Sequence, residues 1–119
     1  DFKYKDHLVY ENKNFFEFEI PTLNFFKFLQ LPISGGGYFR ILPYFLFKIL
    51  FKIYSKKYKN FNFFIHPFEL DDSKIQIDNT NFKNKLRFNY GRKNNLNKLK
   101  KFIISIKDNY RFLRIIDFL

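Results

Sequence analysis

His66 is the residue of this chain best suited to moving a proton. It stands in Phe63-Phe64-Ile65-His66-Pro67-Phe68-Glu69-Leu70-Asp71, where an apolar run gives way to a polar one. An unperturbed imidazole titrates at about 6.5, so it can give or take a proton at neutral pH. A histidine at the C-terminal end of a buried strand also occupies the place where α/β folds and barrels present their reacting groups. The competing reading is a histidine with a purely structural task. Glu69, three residues on, either orients His66 or is simply solvated. His7 is the other histidine, and no His-x-x-x-His or comparable pair occurs, so spacing offers no metal site.

A second candidate is Leu31-Pro32-Ile33-Ser34-Gly35-Gly36-Gly37-Tyr38-Phe39-Arg40-Ile41-Leu42-Pro43-Tyr44, which holds three of the four glycines. A glycine-rich loop ahead of a helix can cradle phosphate with its backbone N–H groups. The pattern is neither Gly-x-Gly-x-x-Gly nor a Walker loop, which weakens a nucleotide reading. A tight turn that lets two backbones pass closely explains it equally well. Arg40, just beyond the loop, suits an anionic substrate group or a neighbouring carboxylate. A third candidate is the pair Glu17 and Glu19, two apart on one face of an expected strand. Glu19 would approach His66 if the two strands were neighbours, whereas Glu17 reads as part of a polar strand face.

Around these residues the composition is skewed. Aromatic residues make up 24% of the chain, with 20 Phe and 8 Tyr, and there is no Ala. Phe, Tyr, Lys, Asn and Ile share AT-rich codons, so base bias accounts for most of the net charge of +11. The expected surface is Lys-rich and solvated. Arg40, Arg87, Arg92, Arg111 and Arg114 run against that bias and carry more information. With 46% hydrophobic residues the chain can build a core, which argues against disorder. The absence of Cys excludes disulfides and thiolate chemistry and leaves the redox compartment undecided. The chain starts at Asp1 and contains no Met, which reads as a single domain portion lacking an N-terminal part. The apolar run Ile41 to Tyr54 is broken by Lys48 and Lys52 and is shorter than the roughly 20 residues of a membrane span.

The elements that must position the candidates follow from local pattern. Residues 1–14 read as a polar loop, and Phe15 to Ile20 as an alternating strand stopped by Pro21. Thr22 to Ile33 is an irregular aromatic segment. Pro43 opens a helix over Tyr44–Lys57, with Lys48, Lys52 and Lys56 on one face and Phe45, Ile49, Leu50 and Ile53 toward a core. Phe61 to Ile65 is a continuous apolar strand suited to a parallel sheet. Ser73 to Lys85 is a long loop, and Asn94 to Lys107 a second helix built on Leu96, Leu99, Phe102, Ile103 and Ile106. Phe112 to Ile116 is a last short strand. That order predicts an α/β unit with right-handed crossovers, too small to close a barrel alone.

The three motifs, Glu-Ile-Pro at 19–21, the glycine segment at 31–44 and His-Pro-Phe-Glu-Leu-Asp at 66–71, follow at intervals similar to a known family. The chain resembles the C-terminal region of polysaccharide deacetylases associated with exopolysaccharide and exosortase gene clusters, within the NodB-homology superfamily. Phe68 stands where that motif usually has Trp. Arg87-Phe88-Asn89-Tyr90-Gly91 and Arg111 to Leu119 also resemble the family's tail. The resemblance implies the C-terminal fragment of a distorted (β/α) barrel that removes N-acetyl groups from a glycan. It implies a divalent metal, commonly zinc, held with a catalytic base by motifs outside this chain. His66 matches the late histidine that acts as general acid toward the leaving amine. Gly35, Gly36, Gly37, Tyr38, Arg40, Glu19 and Glu69 would shape the substrate cleft. The expected partners are an N-acetylated glycan and the metal-binding half, in the cytoplasm, with no transmembrane segment and no nucleic acid. The rival readings are a basic, aromatic-rich module for nucleic acid or another anionic polymer, and a non-catalytic scaffold for the metal-binding half.

Overall fold

A computed structural model of the chain describes residues 3–6, 9–12, 15–25, 29–73 and 81–118. They form five short strands followed by six helices: β1 Lys3–Asp6, β2 Val9–Asn12, β3 Phe15–Phe18, β4 Thr22–Phe25, β5 Leu29–Pro32, α1 Gly36–Ile41, α2 Tyr44–Lys57, α3 Pro67–Leu70, α4 Phe82–Asn89, α5 Asn95–Ile106 and α6 Ile115–Phe118. The class is mixed α/β, as expected. Its sheets are not the expected ones.

β1, β2 and β3 form an antiparallel sheet in chain order, with Val9 opposite Phe18 and Asn12 opposite Phe15. The polar loop expected over residues 1–14 thus contains two strands, and the strand expected to reach Ile20 ends at Phe18. β4 and β5 pair as a second antiparallel sheet, Thr22 opposite Pro32 and Phe25 opposite Leu29. The irregular segment expected over Thr22 to Ile33 is this sheet, and the Ile33 N–H donates to the Pro21 carbonyl at 3.0 Å to extend it. Every strand pairing among the described residues is antiparallel. The predicted crossovers are therefore absent from them, and these residues form no barrel.

α2 is the axis of packing and has the bounds its pattern predicts, with Pro43 as N-cap. Its buried stripe is Phe47, Leu50, Phe51 and Tyr54, an i, i+3, i+4, i+7 set that faces one way on a helix. Lys48, Lys52 and Lys56 are exposed as expected, but so are Phe45, Ile49 and Ile53. Toward one side Leu50 and Tyr54 join Leu23 and Ile33 from the β4–β5 region. Toward the other Phe47 and Phe51 meet Phe39 of α1 and Phe102 of α5. Phe61 and Leu42 touch both clusters.

Phe61 to Ile65 pairs with no strand among the described residues. Phe61 and Phe63 point inward, and their rings lie 6.2 Å apart in a stacked arrangement. The core takes up alternate side chains here, and the expected parallel strand finds no partner among the described residues. Of the loop expected over Ser73 to Lys85, residues 74–80 lie outside the described residues, and its end from Phe82 onward is already helical, as the start of Phe82–Asn89. Asn81 caps that helix by accepting from the Asn84 N–H at 3.0 Å. α5 matches its expectation, although only Phe102 of the five named apolar residues is fully buried. The last strand expected over Phe112 to Ile116 is instead an exposed stretch entering α6. No described helix is long and apolar enough to cross a membrane.

Candidate functional site

The chain enters the site through Phe64-Ile65-His66 and leaves it through α3. His66 has extended backbone (φ −85°, ψ 143°), and Pro67 supplies the first helical position, where its missing N–H costs nothing. The Glu69 N–H donates to the His66 carbonyl at 2.9 Å. In return a Glu69 carboxylate oxygen accepts from the His66 N–H at 3.0 Å. The second of these bonds is the carboxylate arm of a capping box, and both fix the backbone of the histidine. Glu69 therefore does orient His66, but through the main chain, and it is only 3% exposed rather than solvated.

The glycine run makes room for that carboxylate. A Cβ on Gly36 would sit 1.8 Å from Glu69 Oε2 and 2.8 Å from Ile65 Cγ1. Gly35 has φ of 98°, a conformation side chains avoid, and the Phe64 ring covers the space a Cβ would need. The loop does pass closely against the segment at 64–69, and α1 starts inside the run. Ser34 Oγ donates to the Asn62 carbonyl, and Asn62 Nδ2 reaches the Glu19 carbonyl at 3.5 Å. Glu19 is thus tethered four residues upstream of His66 through its main chain, with an exposed side chain.

The His66 ring is exposed between two aromatic rings that are themselves partly exposed. It lies flat against Phe68 (5.7 Å, 17°) and edge-on to Phe64 (5.9 Å, 75°). Such a shelf presents apolar ring faces beside a group that can transfer a proton. Tyr38 is exposed on the first turn of α1. Arg40 faces elsewhere: its Nη1 donates to the Phe88 carbonyl at 3.0 Å, near Gly91 and the start of α5. Six of the eight candidates, His66, Glu69, Gly35, Gly36, Gly37 and Tyr38, therefore belong to the α1–α3 corner. Glu19 and Arg40 lie off it.

The residues that hold this corner from behind were not singled out as its supports. Arg92, 2% exposed, donates from Nε to the Phe68 carbonyl at 2.8 Å and from Nη1 to Asn89 Oδ1 at 3.3 Å. Asn95, 1% exposed, donates from Nδ2 to the Glu69 carbonyl at 2.8 Å. Together they satisfy the last carbonyls of α3, which a four-residue helix cannot satisfy itself. Lys98 does the same for α1, donating from Nζ to the Phe39 and Leu42 carbonyls, and it lies 4.6 Å from the centre of the Phe39 ring. Burial lowers its pKa from the ordinary 10.5 to about 8. Asp71 is held below its usual range mainly by the Ser73 N–H, then by the Ser73 hydroxyl, with Arg92 contributing less. Arg92 carried one available signal, since arginine runs against the base bias; Asn95 and Lys98 carried none.

Among the described residues no group of three His, Cys, Asp or Glu side chains could hold a metal ion. His7 lies outside the described residues. A family model described as "Domain of unknown function (DUF3473)" matches residues 1–119. No curated protein and no solved structure matches the chain.

Proposed function

Starting from a chain that belongs to the DUF3473 family over residues 1–119, we propose that it is the C-terminal part of a metal-dependent carbohydrate N-deacetylase, with His66 as general acid. The observation that carries the reading is the exposed imidazole between Phe64 and Phe68, on a backbone held by the buried Glu69. An N-acetylated sugar has apolar C–H faces that suit the two rings and an amide nitrogen that must gain a proton as it leaves. A protonated His66 would give that proton when the C–N bond breaks, so the product departs as a neutral amine.

The metal and the catalytic base belong, in this reading, to another part of the parent protein. The described residues do not fit a metal site, and no step is assigned to one here. The same reading sets the chain beside the parallel strands of a distorted (β/α) barrel supplied from elsewhere. Glu69 and the three glycines then act by positioning, and Tyr38 flanks the substrate path.

In the full-length protein, His66→Gln should lower turnover by roughly 100-fold or more, the usual contribution of a positioned general acid. Metal content and thermal unfolding should stay as in wild type. Unchanged turnover on N-acetylglucosamine oligomers would remove His66 from the chemistry.

A further inference from the structure

We propose that the cleft between α1 and the first turn of α5 is a phosphate-binding site. It encloses about 500 Å³, and Arg40, Lys93, Lys98 and Lys101 all line it, with no carboxylate among the lining residues. Four cations gathered in one recess repel one another, and a dianion there reverses the sign of that interaction. Three of the four are lysines, whose compact ammonium groups suit phosphate as point charges. The hypothesis does not depend on a hydrolytic role for His66.

A further feature of the cleft points to an anionic occupant. α5 is a helix of 12 residues that begins at this wall, with no acidic side chain in its first turn. Its N-cap, Asn94, is left-handed (φ 65°) and makes no side-chain cap hydrogen bond. The positive end of the helix therefore meets the recess without a side-chain acceptor of its own. Asn95 at this wall is held in place by its Nδ2, which donates to the Glu69 carbonyl at 2.8 Å. Lys98 is already locked by the Phe39 and Leu42 carbonyls, so one wall of the site is preorganised.

Calorimetric titration of the full chain with inorganic phosphate, N-acetylglucosamine 1-phosphate and phosphatidylcholine–phosphatidic acid vesicles tests the site. Saturable binding is expected. The double variant Lys93→Glu/Lys101→Glu reverses two exposed charges and should weaken it roughly tenfold or more. Lys52→Glu/Lys56→Glu makes the same change in net charge on the exposed face of α2 and should leave affinity within about twofold if the cleft, not the overall field, holds the anion. Lys93→Gln/Lys101→Gln gives the same comparison by milder substitutions should charge reversal impair folding. Tighter binding of the sugar phosphate would identify a glycan-borne group, and tighter binding of the vesicles a lipid headgroup. No saturable binding, or equal weakening in the α2 variant, would overturn the proposal.

Discussion

Glu69 offers both ends of its residue to the site. Its carboxylate accepts the His66 N–H while its carbonyl accepts the Asn95 amide. Glu69→Ala would leave the His66 N–H without that partner, and a loss of about 1–3 kcal/mol is expected in urea unfolding. Glu69→Gln keeps an acceptor and should recover most of it. Gly36→Ala attacks the same contact from the other side, because the new methyl would occupy the space of the Glu69 carboxylate. It should destabilise by roughly 1–3 kcal/mol, as overpacking does, and shift the His66 ring resonances in NMR spectra. A Gly36→Ala protein with unmoved His66 signals would show that the carboxylate can relocate freely. Lys98 gives a pH prediction of definite sign. Its native pKa is lowered to about 8 from the ordinary 10.5. Between those values the unfolded chain binds more protons than the native one, so this group makes stability rise with pH across that window. Comparing wild type with Lys98→Met in urea at several pH values isolates the slope from titrating tyrosines. No difference in slope would contradict the lowered pKa.

At the scale of elements, α3 is too short to persist alone, since one turn does not repay nucleation. It stands because α1 and α5 pack against it and because Arg92 and Asn95 take its terminal carbonyls. Arg92→Ala should therefore cost about 1.5–3 kcal/mol, the range for a hydrogen bond from a charged donor, and speed amide exchange of residues 67–70 more than that of α2. Uniform acceleration across both helices would mean that Arg92 supports the whole fold instead. Its contact with Asp71 is long, at 3.8 Å, and Asp71 is open to solvent, so Asp71→Asn should change stability little. α2 and α5 were legible in the sequence because a helical stripe is written within a few turns of one segment. β4 and β5 were not, because a strand is defined by its partner, and each alternates polar and apolar residues over only a few positions. Phe61 to Ile65 shows the reverse case: strand-like residues with no strand to pair with among the described residues.

Across the whole molecule, α2 divides an aromatic core into two clusters, and Phe102 closes one of them. Its ring lies 4.9 Å from Phe47 and 5.0 Å from Phe51, both edge-on. Phe102→Ala should cost about 3–5 kcal/mol and lower the melting temperature steeply, because it empties the space between rings that contact Phe102 on several sides. A much smaller change would indicate that the cluster repacks. The amino-acid sequence alone determined α2 and α5 and the tight loop at 34–37. Those properties depend on side-chain period and backbone freedom, which belong to short segments. Only the tertiary structure decided that the sheets are antiparallel, that Glu69 holds His66 through its main chain, and that Arg92, Asn95 and Lys98 anchor the helices around it. Each of those is a meeting of residues distant in the chain, and burial chose the partners, leaving Arg40 to the basic cleft rather than to the histidine.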